Sequence, residues 1–332
     1  MPISLGQFPD LTKNAKVKWD MERMEFDRVR EQIAIIDGNV VERTSEHNSG
    51  VSSMQTARRR DDGDDAYKGT LKQGYTSTFT QAEIALQADV TKGLRKFDKY
   101  GEINKRMRGM ARGAERRMEL DVAAHYSYAW ATSYTNIDGE TVSTAAPDGL
   151  ALMSPSHTVN GGSDTYSTEI DTTHDEFSAD VLERMEEIAN GFLDDSDGRG
   201  IPGDCNTIIT GRHAPTRNTV TRLLSSELLA GTANNDKNNY RASYRHIVVP
   251  FLDYNMQTEQ RDSTKAKYAF IAHLGSEDYT GLLVEVSQDI MFEAPTNVTA
   301  SSTWEYLTTA YYDLGLTRAN WIVGTKGDST TV

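Results

Sequence analysis

The sequence predicts an α+β fold in which one long helix packs across long strands, with a polar excursion standing off the body. Three observations carry this. An apolar repeat runs through residues 102–132, with Ile103, Met107, Met110, Ala114, Met118, Val122, Tyr126 and Ala129 at steps of three or four. Near the chain end, Leu282, Val284, Val286, Ile290 and Phe292 alternate with Glu285, Ser287, Asp289 and Glu293, and residues 303–312 alternate again through Trp304, Tyr306, Ala310 and Tyr312. Ahead of both, residues 42–69 hold almost no large apolar side chains and cannot form a core alone.

Composition sets the bounds. The 332 residues suffice for about two domains. A single cysteine excludes a disulfide framework and any multi-cysteine metal site. The apolar fraction of 37% is low, so much of the chain has to be extended or surface-lying. No apolar run approaches the roughly 18 residues of a membrane span, and the start MPISLGQFPDLTKNAK lacks the pattern of a secretory signal. The net charge of −14 is unevenly spread. Residues 1–120 carry 22 basic and 19 acidic side chains, whereas 121–332 carry 13 and 30. An acidic whole disfavours direct nucleic-acid binding, which needs clustered Lys and Arg.

The elements follow in order. Residues 1–30 lack sustained periodicity and read as an extended arm with a short helix over about 19–30. Residues 33–41 are β-compatible, with a turn at Asp37-Gly38-Asn39. The polar stretch then presents Arg58, Arg59 and Arg60, followed by Asp61, Asp62, Asp64 and Asp65 around Gly63. Residues 67–79 are β-prone again, which predicts a long hairpin, with a disordered loop as the alternative. Thr80-Gln81-Ala82-Glu83 fits a capping box, and Leu86, Val90, Leu94 and Phe97 follow at helical spacing, which predicts a helix. The long helix comes next. Lys105, Arg108, Arg112 and Arg116 form a basic stripe beside its apolar one, either a solvated face or a contact for acidic surface on another subunit.

Residues 135–148 are turn-rich, and a Gly/Ser/Asn/Thr loop runs to about 173. Ser178 reads as an N-cap, with Val181, Met185, Ile188 and Phe192 on one helix face. The run DDSDGRGIPGD ends that helix. A buried strand over 206–210, a helix over 214–229 and strands over 246–251 and 267–274 make residues 200–280 a compact α+β block. Strands over 282–293, 303–312 and, after a turn at Leu314-Gly315, 318–325 close the chain.

No pattern demands an enzyme. The phosphate-cradling glycine loops, the G-x-S-x-G elbow and H-E-x-x-H are absent. The loop 194–200 faintly suggests a calcium loop, but a loop started at Asp195 has Asn206 where the bidentate carboxylate belongs. It reads as a solvated helix end, with a weak divalent site as the alternative. Ser156 and His157 are adjacent in sequence, whereas a catalytic pair must face each other in space. Cys205 precedes an apolar strand and reads as a buried thiol.

The order of elements resembles the major capsid proteins of tailed bacteriophages. TQAEIALQADVTKGLRKFDKY over 80–100 is similar to the run leading into that family's spine helix. Asp148-Gly149 with Leu152-Met153-Ser154-Pro155-Ser156-His157 is similar to its "dG…L-F-S-x-x-H" loop, with Met153 where Phe is common. Residues 223–241 with Ile247-Val248-Val249-Pro250, and Tyr311-Tyr312-Asp313-Leu314-Gly315 through Trp321, are similar to its surface-domain helix and closing strands.

The resemblance implies an N-terminal arm at 1–30, an extended hairpin (the E-loop) at 31–79, a peripheral domain at 80–199 and 281–332 with the spine helix about 102–132, and an axial domain at 200–280. It implies a non-enzymatic shell subunit without cofactor or metal, assembling through hexamers and pentamers into an icosahedral head that encloses double-stranded DNA. The hairpin would lie over one neighbour and the arm would reach another, with inter-subunit contacts at Arg58, Arg59, Arg60, Asp61, Asp62, Asp64, Asp65, Arg108, Arg112 and Arg116. Scaffolding would come from a separate protein, beside portal and decoration proteins. The location would be the virion, after assembly in the host cytoplasm. The alternatives are a bacterial nanocompartment shell of the same fold and, from another class, a soluble hydrolase using Ser156, His157 or Cys205.

Overall fold

The computed structural model describes residues 8–38, 45–51, 57–97, 101–160, 162–170, 175–228, 237–275, 280–293, 295–298 and 302–328. The chain opens with α1 (Phe8–Glu25), α2 (Arg30–Ile33) and β1 (Ile35–Asp37). The strands β2 (Ser45–Val51), β3 (Gln73–Thr80) and β4 (Ala82–Thr91) lead through α3 (Lys92–Phe97) into α4 (Glu102–Ser127). Short hairpins follow: β5 (Ser133–Thr135) with β6 (Thr141–Ser143), and β7 (His157–Thr158) with β8 (Thr165–Tyr166). Then come α5 (Ala179–Ala189), β9 (Thr207–Thr210), α6 (Ala214–Ser225), β10 (Arg245–Val248), β11 (Tyr254–Asn255), β12 (Gln260–Arg261) and β13 (Ala269–Ala272). The chain closes with β14 (Leu282–Phe292), β15 (Thr296–Val298), β16 (Thr303–Leu316) and β17 (Ile322–Thr325).

Two sheets organise the molecule. In the first, β16 is the central strand, flanked by β14 and β15 on one side and β4 on the other, with β1 parallel to β14. The second has the order β10-β9-β13-β17. The helix α4 crosses the first sheet as expected, and every residue of its apolar stripe is buried. Its 26 residues span about 39 Å. In its last turn, the Tyr126 ring meets Phe270 at 5.8 Å and Trp321 at 6.3 Å, so both sheets share one core at this point. Gly281 permits the entry to β14, because a Cβ there would fall 2.3 Å from the Trp321 Nε1.

Several expectations need correction. From Phe8 on the arm is not extended. The helix α1 starts at Phe8 and buries Ala15, Trp19 and Glu22, which share one face at steps of four and three. The strand expected at 33–41 shrinks to β1, and Asn39 of the expected turn, with everything on to 44, lies outside the described residues.

The capped helix at 80–97 is a strand for most of its length. Ten residues of β4 pair with β16, from Ala82 opposite Tyr312 to Thr91 opposite Thr303. That ladder outweighs a local capping box. The cap belongs one element later, where the Thr91 Oγ1 accepts from the Leu94 amide. The turn at Leu314-Gly315 is absent, because β16 runs on to Leu316. The last strand leaves its neighbours and pairs with β13 in the second sheet. By contrast the hairpin is present: β2 and β3 pair from Ser45 opposite Thr80, and residues 57–66 at its far end are exposed. The Ser178 cap also forms, accepting from the Val181 amide at 3.3 Å.

Candidate interaction surfaces

The base of the hairpin is held to its own body. The Ser77 Oγ donates to the Leu316 carbonyl at 2.8 Å, the Tyr75 hydroxyl to the Thr158 carbonyl at 3.0 Å, and the Asn160 Nδ2 to the Gln73 carbonyl at 3.1 Å. Phe79 is buried against Gly315, where an added Cβ would come within 3.1 Å of its ring. The tip is different. Arg58 lies 4.0 Å from the Tyr67 ring centroid, while Arg59, Arg60, Asp61, Asp62, Asp64 and Asp65 have no ion-pair partner among the described residues.

The helix α4 presents two unlike flanks. On one, Arg112 pairs with Glu22 of α1, Arg108 lies 3.9 Å from the same carboxylate, and Arg116 lies 2.9 Å from Glu259. Their side chains keep 50%, 67% and 43% exposure at Arg108, Arg112 and Arg116, so charge remains available on this face. Lys105 pairs with Glu102 of its own helix. On the other flank, a cleft of about 370 Å³ opens between α4 and β4, floored by Ile84, Leu86, Gly113 and Ala114. Its walls carry Glu83, Asp138 and Glu140. Among the described residues of the lining the one cation, Arg117, is held by Asp121 at 2.9 Å and Asp138 at 2.8 Å.

A buried charge cluster fixes α1 and α2 to α4. Glu115 has no exposed surface and receives Arg23 at 2.8 Å, Arg28 at 2.9 Å and Arg30 at 2.5 Å. Burial opposes its ionisation, but Arg30, Arg23 and Arg28 together hold its carboxyl below the ordinary value. One turn on, burial pushes Glu119 up to about 6 although Arg30 lies beside it. Trp19 completes the joint, donating to the Thr308 Oγ1 at 3.1 Å. From Ala15 onward the arm therefore packs on its own body. The sequence reading missed this cluster and the acidic cleft. Carboxylates at 115 and 119, one turn apart beside the apolar stripe, were the available signal.

The residues weighed for chemistry have structural roles. His157 is fully buried, with Nδ1 2.8 Å from the Asp148 Oδ2 and Nε2 3.1 Å from the Leu152 carbonyl. Burial works against an ionised Asp148, but His157 and the Leu150 and Thr158 amides hold its carboxyl below the ordinary value. Gly149, at φ 84°, makes the turn that allows this. Ser156 is exposed and does not face the histidine ring, whose contacts are Asp148, Leu152, Thr168 and a stacked Tyr166. Burial pushes the Cys205 thiol up to about 12, which removes the thiolate a nucleophile needs. In the loop 194–200 the Asp194 and Asp197 carboxylates cap local amides, Asp195 accepts from the Tyr166 hydroxyl at 2.6 Å, and no metal-binding cluster occurs among the described residues.

No protein-family model matches the sequence, and no curated protein does. Solved structures match along most of the chain. The capsid of Ralstonia phage GP4 does so at a TM-score of 0.53 and 12% identity, over 91% of this chain and 92% of that one. The capsid of Cyanophage P-SCSP1u gives 0.53 at 10% identity, over 89% and 86%. The fold is that of a phage capsid subunit. The mature capsid of bacteriophage PhiM1 matches as well, at 0.51 and 10% identity over 90% and 86%. With identities this low, the capsid fold is kept here by pattern and topology: a long helix across a sheet, a hairpin standing off it and a second sheet beside it.

Proposed function

We propose that this chain is a major capsid protein that self-assembles through hexamers and pentamers into an icosahedral head enclosing double-stranded DNA. The observation that carries the reading is the match to phage capsids over about nine-tenths of the chain. The surfaces agree with it. An exposed, charged hairpin tip and two oppositely charged flanks of α4 gain little in a monomer, where exposed ion pairs contribute roughly 0–1 kcal/mol each. Repeated around a closed shell, such contacts add up. In this reading Arg58, Arg59, Arg60 and the aspartates after them are contacts to a neighbour, and Arg108, Arg112 and Arg116 lie on the receiving side. The role is structural and non-catalytic, and the protein resides in the virion after assembly in the host cytoplasm. Separate scaffolding, portal and decoration proteins are its partners.

Expression followed by light scattering and electron microscopy tests the assignment, with shells or capsomers as the expected result. Deleting residues 44–66 should leave a body with native circular dichroism that forms no closed shells. Intact shells from that variant would refute the strap role of the hairpin.

A further inference from the structure

His157 opens β7 with no exposed surface, and each of its ring nitrogens faces an acceptor. The Nδ1 lies 2.8 Å from the Asp148 Oδ2. The same carboxylate accepts the Leu150 amide at 3.1 Å and the Thr158 amide at 3.3 Å, contacts that favour its ionised form. The Nε2 lies 3.1 Å from the Leu152 carbonyl, which can only accept. It is also 3.1 Å from the Thr168 Oγ1. That hydroxyl has one proton and donates it to the Leu152 carbonyl at 2.7 Å, so it turns a lone pair toward the ring. A neutral imidazole donates at only one nitrogen. The surrounding charges point the same way. Tyr166 of β8 stacks on the ring at 5.4 Å and donates to Asp195 at 2.6 Å, so a second carboxyl stands behind the imidazole. Among the described residues, Arg318 acting on Asp195 and Tyr75 acting on Tyr166 complete the titratable surroundings.

We propose that His157 is a buried imidazolium, with a proton on both ring nitrogens, and that its pairing with Asp148 latches the base of the hairpin. The latch is short. The Asp148 Oδ2 that takes the ring proton also takes the Thr158 amide. The Thr158 carbonyl accepts the Tyr75 hydroxyl at 3.0 Å, and the Asn160 Nδ2 donates to the Gln73 carbonyl at 3.1 Å. Both ties from β3 to this segment therefore fall within three residues of the ring. Removing the second proton would leave a nitrogen lone pair facing a carbonyl or a carboxylate, and either contact then repels. The folded chain holds this proton, whereas a histidine of the unfolded chain gives it up at about 6.5. The latch therefore weakens as the pH rises. Burial raises Asp148, but His157 and the Leu150 and Thr158 amides hold its carboxyl below the ordinary value, so acid opens the latch only at low pH. Ser77, whose hydroxyl bonds the Leu316 carbonyl, lies outside the latch.

Nuclear magnetic resonance of the full chain, isotope-labelled at its histidine nitrogens, counts the protons directly, with His157→Gln assigning the signals. About one pH unit above the ordinary histidine value, both ring nitrogens of His157 should still carry a proton. A ring with a single proton there overturns the imidazolium. A second measurement reads the latch. Asp148→Asn keeps the shape of the side chain and removes its charge, so the ring should become neutral. Amide exchange over residues 73–76, corrected for the intrinsic effect of pH, should then be about tenfold faster, with residues 77–80 unchanged. In the wild type the same acceleration should appear as the pH is raised, and the variant should show no further rise. Identical pH profiles from the two chains also overturn the proposal. If the variant does not fold, the proton count on the wild-type ring decides alone. Both readings apply to the unassembled chain as well as to particles, so their failure leaves the assembly assignment untouched.

Discussion

His125 occupies the last turn of α4 with almost no exposed surface. Its Nδ1 lies 3.3 Å from the Asp121 carbonyl, and its Nε2 has no hydrogen-bond partner among the described residues. Burial pushes this imidazole down from an ordinary 6.5 to about 4. The folded state therefore favours the neutral ring, while the unfolded chain binds a proton near 6.5. Stability from this site is complete above that value and is lost as the pH falls toward 4, a loss of about 3 kcal/mol over the window. A His125→Gln variant should show a flatter decline in urea-unfolding free energy between pH 6.5 and 4 than the wild type. An unchanged slope would assign the acid sensitivity elsewhere. Other histidines show how far single residues were readable. The sequence alone argued against a catalytic Ser156-His157 pair, and the contacts of His157 agree. The burial of His125 was implied by its place between Val122, Tyr126 and Ala129 on the stripe.

Elements were legible where one periodicity ruled them. The stripe of α4 and the alternation of β14 needed no tertiary information, because a buried face repeats at the period of its own element. At 80–97 two periods competed. Ile84, Leu86, Ala88 and Val90 alternate with Glu83, Gln87 and Asp89, a strand signal that the capping-box motif masked. Pairing with β16 across ten residues decided between them, and that partner lies more than 200 residues away. The helix α1 escaped for a related reason, since its inner face includes Glu22, whose burial follows from the arginines of α4. The neighbouring joint is held largely by charge, with three arginines on one buried carboxylate. Breaking such a cluster removes the carboxylate that Arg23, Arg28 and Arg30 share and leaves each with its second partner alone, Asp289, Glu31 and Glu119. Glu115→Gln should therefore cost about 1.5–3 kcal/mol, the range for hydrogen bonds to a charged group. Hydrogen exchange should localise the effect, with faster exchange in α1 while the β14–β16 ladder stays protected. Uniform loss of protection would mean that the cluster supports the whole body rather than this joint.

At the scale of the whole molecule, β17 links parts that the sequence set apart. Residues 200–280 were read as a self-contained block, yet their sheet includes a strand from the chain's last fifteen residues. The local signal gave no hint, because a short apolar strand fits equally well beside β16 or β13. What decides it is burial on both faces. All four residues of β17 are buried, and the preceding Trp321 fills the space between Tyr126 of α4 and the Gly281 turn. Its indole Nε1 donates to the Arg318 carbonyl at 3.1 Å, which fixes the ring where the two sheets meet. In the proposed shell, this coupling lets contacts made on the first sheet hold the second in position. Trp321→Ala should remove about 3–5 kcal/mol by opening a cavity that the rigid surroundings cannot fill. Because the ring joins two sheets, the loss should also appear in cooperativity. Calorimetry of the wild-type subunit should give one transition, and the variant a broadened or divided one. A variant that melts earlier but still in a single sharp step would mean that β13–β17 pairing alone couples the sheets, with the indole contributing only volume.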